Sequence, residues 1–303
     1  MENALQHLPP GARVAIIRLR SLGDCVLTTP ALHLLKTSRS DLKVAVIVEE
    51  RFGPVFRGNP DVDELLPPSV QALRGWSPQL CLDLHGGPRS ALLVALSGAK
   101  LRAGFAHFRA WFAYNIRIPT AQQILGVRRK VHTAEHLASA VFYLGVPVAE
   151  VPRARLFASC PNKDIPYAII HPYANGQGKT WPARGFLAVA RKLELDFHLK
   201  PVFIAGPGED LRTFQEFRTL VGVSLEEVKN LMAGASVFVG NDSGPAHMAA
   251  AFGLPVLVLF GASDPVIWGP WKTVSEVVVA PGSLEKLAVE NVLQALDRLK
   301  VAA

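Results

Sequence analysis

Short aliphatic and β-branched runs alternate with longer amphipathic segments along this chain, and most runs end in a loop of glycine and polar residues. No other feature limits the fold more. A strand buried on both faces of a parallel sheet reads as an unbroken apolar run, and its return crossover reads as a helix. "RVAIIRL" (13–19), "KVAVIVE" (43–49) and "PQLCLDL" (78–84) are such runs. The first is followed by the loop "RSLGD" and a helix through "CVLTTPALHLLKTS", the third by "HGGPRS" and a helix "SALLVALSG". "HTAEHLASAVFYLG" (132–145) reads as a helix with its glycine just past the end.

The alternation stops once, at the proline-bearing stretch "VPVAEVPRARLFASCPNKDIP" (146–166), which is expected to be a linker. It then restarts. "YAIIHP" is a strand, "YANGQGKT" a loop, "WPARGFLAVARKLE" a helix and "KPVFIAGP" a strand. A helical stretch is expected next, then the segment "SLEEVKNLMAGA", strand "SVFVGND", helix "SGPAHMAAAFG", strand "PVLVLFG" and a last helix near "LEKLAVENVLQALDRLK". The predicted fold class is α/β: two doubly wound, Rossmann-like domains, 1–155 and 156–303, facing each other across a cleft. The last helix is a candidate for packing back on the first domain. Ligands of such sheets bind beyond the carboxyl ends of the strands. The loops at 20–24, 85–90, 173–180, 206–210 and 240–247 all fall there.

Composition narrows the class. Half of the 303 residues are hydrophobic and 19% are charged, so each half can bury its own core. The net charge of +7 suits an anionic partner: nucleic acid, a phosphorylated or nucleotide-bearing substrate, or an acidic membrane face. Cys25, Cys81 and Cys160 are odd in number and lack metal-ligand spacing, which favours free thiols in a reducing cytoplasm. The N-terminus lacks the apolar stretch of a signal peptide. "ALLVAL" and "LPVLVLFGA" are too short to cross a bilayer. The basic residues read as scattered, with only "GVRRK" (126–130) clustered and no nucleic-acid motif beside it. That run is either a solvated loop or a contact for anionic lipid head groups.

In "RLRSLGDCVLTTPAL" (18–32), Gly23 permits a tight turn and Asp24 lies at the start of a helix. Asp24 is either a helix cap or a carboxylate base; a carboxylate is ionised at neutral pH and needs only placement beside a hydroxyl. No dinucleotide fingerprint is present. In "HPYANGQGKTWPARGF" (171–186) the loop offers Asn175, Gly176, Gln177, Gly178 and Lys179 before a helix opened by Trp181-Pro182. Lys179 is either a solvated lysine or a point charge beside free backbone amides, a good arrangement for phosphate. The first glycine of G-x-x-x-x-G-K-[ST] is missing, which disfavours a P-loop. Trp181 is expected to pack beneath the loop.

"VGNDSGPAHMAAAFGLPVLVLFG" (239–261) crowds Asn241, Asp242, Ser243, Gly244 and His247 at the junction of a strand and a small-residue helix. Amides at Ser243 and Gly244 suit a diphosphate. Asp242 repels phosphate, so it is read as a cap or an acceptor from a sugar hydroxyl. His247 can donate to phosphate or pack as a satisfied imidazole. "CLDLHGGPRSALL" (81–93) places Asp83 and His85 at a strand end, and Arg89, Arg102 and Arg109 follow. Arg89 could pair with an acceptor's carboxylate or phosphate, although each arginine alone reads as a surface residue.

Taken together these blocks resemble glycosyltransferase family 9, the heptosyltransferases of lipopolysaccharide core synthesis. The likeness runs in order through "RLRSLGD…P", "LDLHG…RSALL", "GAKLRAGF", "HTAEH", "HP…KTWP", "SLEEV" and "GNDSGPAHMAAAFGLPVLVLFGASDP". The resemblance implies a GT-B architecture with an N-terminal acceptor domain and a C-terminal nucleotide-sugar domain. It implies inverting transfer from a donor that is typically ADP-L-glycero-β-D-manno-heptose, without an obligatory metal or other cofactor. The family's base maps to Asp24 and its phosphate-binding lysine to Lys179. Its donor block maps to Asp242, Ser243, Gly244 and His247, with Asn175 in the lysine loop and Glu209 or Asp210 as the nucleoside contact. Arg18, Ser21, Gly23, His85 and Arg89 are the acceptor-side residues. The implied partners are a nucleotide sugar, an anionic lipid-linked saccharide and an anionic membrane surface, not nucleic acid, in the cytoplasm or on the inner face of its membrane.

One departure stands out. Between "GPGEDLR" and "SLEEV" only a few residues occur where relatives carry a longer helix and another strand, so either residues are absent from this stretch or the nucleoside pocket is altered. A transferase using a UDP- or GDP-sugar, an epimerase of the same fold, and a non-catalytic binding module remain alternatives. A buried Lys179 already neutralised by a protein carboxylate would count against the diphosphate reading.

Overall fold

The computed structural model describes residues 3–159, 165–176 and 178–299, and divides the chain into two compact units, 1–157 and 158–303. Cys160 lies outside the described residues, as does Gln177.

The first unit runs β1 (Arg13–Ile17), α1 (Leu22–Ser38), β2 (Lys43–Ile47), β3 (Glu64–Leu66), α2 (Val70–Trp76), β4 (Leu80–Asp83), α3 (Pro88–Leu96), β5 (Leu101–Phe105), β6 (Ile116–Ile118), α4 (Ala121–Leu125) and α5 (Thr133–Leu144). Its six strands are all parallel, in the order β3-β2-β1-β4-β5-β6. The apolar runs of β1, β2 and β4 are buried over nearly their whole length, as strands covered on both faces must be.

The second unit runs β7 (Tyr167–His171), α6 (Ala183–Leu195), β8 (Lys200–Ala205), β9 (Arg218–Val221), α7 (Leu225–Gly234), β10 (Val237–Asn241), α8 (Gly244–Phe252), β11 (Val256–Phe260), α9 (Pro265–Trp268), β12 (Ser275–Val279) and α10 (Val289–Arg298). Its order, β9-β8-β7-β10-β11-β12, repeats the winding of the first unit strand for strand. In each sheet the order reverses once, between β1 and β4 and between β7 and β10. Ligands of open α/β sheets lodge in the crevice beyond the strand ends at that reversal.

Several elements differ from the sequence reading. The edge strands β3, β6, β9 and β12, and β5 next to the edge, carry charged, glycine-bearing or half-exposed residues, so they lack the apolar signature of central strands. The segment after Asp210 keeps its strand, contrary to expectation, because β9 pairs with β8 in parallel register. What shrinks is the crossover: the expected helical stretch is a single 3-10 turn, Arg212–Phe214. Its core contact survives. Phe214 stacks on Phe203 of β8 at 4.3 Å between ring centroids, a pair that contributes about 1 kcal/mol beyond area burial.

The helix after Lys179 starts at Ala183, with Pro182 in the cap position instead of the first turn. The last helix, expected as a candidate for the first domain, directs Val292, Ala295 and Leu296 into the core of the second unit, beside Phe203 and Leu257. Their spacing of three and four residues puts them on one helical face. The described part of the expected linker has no regular structure, and Arg155 N–H donates to Thr29 Oγ1 of α1 at 3.0 Å.

Candidate active site

The reversal point of the second sheet gathers three strand-end loops. Asn241, at the end of β10, is fully buried and ties two of them together. Its Oδ1 accepts from Trp181 N–H at 3.2 Å, and its Nδ2 donates to the Pro172 carbonyl at 2.9 Å. Trp181 is buried edge-on against Phe186, its Nε1 donating to the Leu287 carbonyl at 3.0 Å, which is the packing role expected of it. The loop 173–180 is thereby held from below. Gly178, in the left-handed region at φ +73°, lies where a Cβ would come within 2.5 Å of the Gly282 carbonyl oxygen, so no side chain fits there.

This clamping places Lys179 Nζ 3.1 Å from Asp242 Oδ2. The Ser263 hydroxyl, from the loop after β11, donates to the same oxygen. Lys179 is thus paired, yet its side chain is 26% exposed against 11% for Asp242. Pairing is half of the condition that would count against a phosphate role, and burial is the half that is not met. The ammonium therefore stays within reach of a ligand although the pair is part-buried. A dianionic ligand can compete for the ammonium while Ser263 keeps hold of Asp242.

Beside that pair, α8 begins with Ser243 as its N-cap residue, but Ser243 makes no side-chain bond to the helix. Its hydroxyl is turned to His171 Nδ1 at 3.1 Å. The N-terminus of α8 is left without a side-chain cap, and such an end attracts anions through its free amides and dipole. His171 is buried, and desolvation pushes its pKa down to about 4, so the ring is neutral at pH 7. Its Nε2 lies 3.9 Å from Glu209 Oε2, too far for a hydrogen bond, and a neutral ring makes no ion pair there. Glu209 Oε2 instead accepts from Gly206 N–H at 2.6 Å. Asp210 points elsewhere: Arg212 Nε and N–H donate to it at 2.7 and 2.9 Å, and that guanidinium holds its carboxyl below the usual range. Asn175 is exposed on the lysine loop, and His247 is buried on the first turns of α8.

The reversal point of the first sheet is built differently. Ser21 is the N-cap of α1, and Asp24 is its capping-box partner three residues on. Asp24 Oδ2 accepts from the Ser21 hydroxyl at 2.9 Å and the Ser21 N–H at 3.4 Å. Its Oδ1 is 3.5 Å from Arg18 Nη1, and the carboxylate side chain is 24% exposed. Gly23 is buried in the same turn. Arg18 is itself buried, and its Nε has no hydrogen-bond partner among the described residues. Its charge, after burial, helps depress His85 at the end of β4; burial first, then His107 and Arg18, push His136 of α5 down to about 4.

Asp83 is consumed by structure. Its Oδ1 accepts from His85 and Gly86 N–H at 2.8 and 3.0 Å, and its Oδ2 accepts from the Tyr114 hydroxyl at 2.7 Å. Arg89 is exposed and sits 3.5 Å from Glu49. Cys25 and Cys81 are buried thiols whose pKa burial raises.

These two strand-end sites can be set against known proteins. A model of glycosyltransferase family 9 (heptosyltransferase) matches residues 69–295, which is 227 of 303 residues. The chain belongs to glycosyltransferase family 9. It is a glycosyltransferase. Lipopolysaccharide heptosyltransferase 3 of Escherichia coli is 27% identical over 84% of this chain and 84% of its own. Lipopolysaccharide heptosyltransferase 1 of Escherichia coli strain K12 is 25% identical over 95% of this chain and all of its own. Among solved structures, the family 9 glycosyltransferase of Veillonella parvula superposes with a TM-score of 0.83 at 20% identity, covering 98% of both chains. E. coli heptosyltransferase WaaC with ADP gives 0.76 at 22% identity, covering 94% of this chain and 99% of the other. These structural likenesses establish the GT-B fold.

Within this family 9 chain, Lys179, Asp242, Ser243 and Gly244 gather with Glu209 at the strand ends of the second unit, while Asp210 turns out to Arg212. Arg18, Ser21, Gly23, Asp24 and His85 gather at those of the first, and Arg89 stands apart on Glu49. Asp24 is not the N-cap itself, since Ser21 fills that place. Three residues were not assigned to the site from sequence: Asn241, Ser263 and His171. A strand ending in a polar residue was the available signal for Asn241 and His171. Ser263 lies two residues past the end of "PVLVLFG" and became visible only when β11 took its place beside β10.

Proposed function

We propose that this glycosyltransferase moves a heptose from ADP-heptose to an anionic, lipid-linked saccharide of the lipopolysaccharide inner core, inverting the anomeric carbon by direct displacement. The observation that carries the reading is the α8 N-terminus, whose cap hydroxyl is turned aside to His171 while Lys179 stands next to it. In this reaction an acceptor hydroxyl oxygen attacks the anomeric carbon, and the bond from that carbon to the diphosphate oxygen breaks. The hydroxyl proton passes to the Asp24 carboxylate, and the electron pair leaves with ADP. Charge grows on the departing diphosphate, where Lys179 and the α8 amides stabilise it, so no metal or other cofactor is required.

Asp24 suits a base because its two oxygens are oriented from opposite sides by Ser21 and Arg18 while part of the carboxylate stays accessible. Asp242, freed from Lys179 by the incoming phosphate, is a natural acceptor for a sugar hydroxyl. The names of the relatives support heptose as the sugar and lipopolysaccharide as the acceptor. The reading carries its place of action with it: the cytoplasmic face of the membrane holding the acceptor lipid.

The test is transfer from ADP-heptose to a Kdo-bearing acceptor by Asp24→Ala and Asp24→Asn proteins. Turnover within a few-fold of wild type removes Asp24 as the base. A second reading has a specific motive. The crossover of residues 206–217, which carries Glu209, is reduced to one 3-10 turn, which favours a changed nucleoside site and a UDP- or GDP-sugar donor. Thermal shifts across ADP-, UDP- and GDP-sugars separate the two, because a bound ligand raises apparent stability by mass action.

A further inference from the structure

The positive charge of this chain is concentrated. From Leu84 to Ala134 there are eight Lys or Arg residues and no Asp or Glu; the remainder therefore carries 32 − 8 = 24 basic and 25 acidic residues, a net of −1 against the whole-chain +7. Residue runs of like charge do not reveal this, since only "GVRRK" is contiguous.

The same stretch exposes large apolar side chains. On α3, Leu92 is 58% exposed, and Leu96, one turn on, shares its outward face. α3 packs against the 3-10 turn Trp111–Ala113, where Trp111 is 52% and Phe112 74% exposed. That turn is firmly anchored. Arg102 Nε donates to the Ala113 carbonyl at 3.1 Å, and Tyr114 is buried with its hydroxyl on Asp83. The aromatic tip is thus held outward by its own supports. Arg117 lies over the Trp111 ring at 4.4 Å, and Arg109 and Lys100 are exposed nearby in sequence.

We propose that the outer face of α3 and the Trp111–Phe112 tip form the surface by which this enzyme docks on an anionic phospholipid bilayer, which deepens the preceding reading and rests on its lipid-linked acceptor. Aromatic and aliphatic side chains flanked by cations suit the interface between head groups and acyl chains. Each basic residue close to an anionic membrane strengthens binding roughly fivefold. Acids outside the stretch pair with two of its cations, Arg129 with Glu135 and Arg89 with Glu49, and the exposed Lys100 and Arg109 with Arg117 leave positive charge beside the tip that complements an anionic surface. The surface also leans on the catalytic rim: a Cβ on Gly86 would come within 2.3 Å of Phe108, so the loop after β5 rests directly on the loop bearing His85.

The test is co-sedimentation of the full chain with phosphatidylglycerol-containing vesicles and with phosphatidylcholine alone. The expected result is at least tenfold tighter binding to the anionic vesicles, weakened by salt. Trp111→Ser with Phe112→Ser is expected to lower it at least tenfold, and Arg117→Gln a few-fold, with unchanged thermal shifts by ADP-heptose. Absence of wild-type binding, equal binding by the double variant, or indifference to lipid charge overturns the proposal. So does a dimer in sedimentation velocity that the double variant splits, because the face would then be a self-interface. If vesicles bind as expected but UDP-heptose displaces ADP-heptose as the ligand, the donor assignment fails and the docking surface stands.

Discussion

The two units wind their sheets in one order yet furnish their reversal points with opposite strategies. In the first, the accessible candidate group is a carboxylate, oriented by its own helix cap and a buried guanidinium. In the second, it is an ammonium paired to a carboxylate across two loops, next to a helix whose cap hydroxyl looks away. The first is wired mostly within one turn of chain, from residue 18 to 24. The second draws on loops after β7, β10 and β11, and Asn241 holds two of them in register. The proposed roles account for the contrast: a proton acceptor needs only orientation and access, whereas a diphosphate site needs several donors converging from different strands.

The sharpest way to break this contrast is Asp24→Asn. The amide oxygen preserves acceptance from Ser21 but takes a counter-charge from the buried Arg18, so the melting temperature should fall modestly, while transfer should fall by about 10²- to 10⁴-fold. Near-normal turnover would reduce the carboxylate to a cap. Next in size is Lys179→Ala, expected to weaken ADP-heptose binding by about ten- to a hundredfold, the range of charge-assisted hydrogen bonds, as measured by calorimetry. Its stability should hardly move, because the pair with Asp242 is partly exposed. A large loss of stability with unchanged affinity would make Lys179 a structural residue.

Acid should then destabilise both units through different histidines. His171 and His136 are each held down to about 4, whereas an unfolded imidazole titrates near 6.5. A folded value below the unfolded one gives stability that is complete above about pH 6.5 and is lost as pH falls toward 4, up to a few kcal/mol per site. Scanning calorimetry from pH 7 to 4 reads this directly. His171→Gln should flatten the slope of the second unit's transition and His136→Gln that of the first; a slope unmoved by either substitution assigns the acid sensitivity elsewhere. The smallest effect belongs to Asn241→Leu, which strands the Trp181 N–H and the Pro172 carbonyl. It should cost about 1–3 kcal/mol in urea unfolding and loosen donor binding only as a consequence. No loss would mean that the loops hold their register without it.

How much was legible beforehand follows from what each element had to bury. β1, β2, β4, β7, β8, β10 and β11 are covered on both faces, so their apolar runs announce them. β6 and β9, at the sheet edges, were missed because "IRI" and "RTLV" are short and interrupted by charge, as edges commonly are. The shortened crossover misled in the same way. One 3-10 turn carrying Leu211 and Phe214 into the core replaces a helix, and no periodicity advertises it.

The sequence by itself determined the two doubly wound units, the strand ends that carry polar groups, and the family block from Gly240 to Pro265. These are local patterns, set by burial period and turn chemistry. Only the tertiary structure decided that Lys179 meets Asp242 and Ser263, that Glu209 and not Asp210 looks toward His171, and that Ser21 takes the cap position with Asp24 as its partner. The Ser21–Asp24 cap is local, but the other pairings join residues brought side by side by strand order. That order is set by how whole faces pack, information that no single stretch of chain contains.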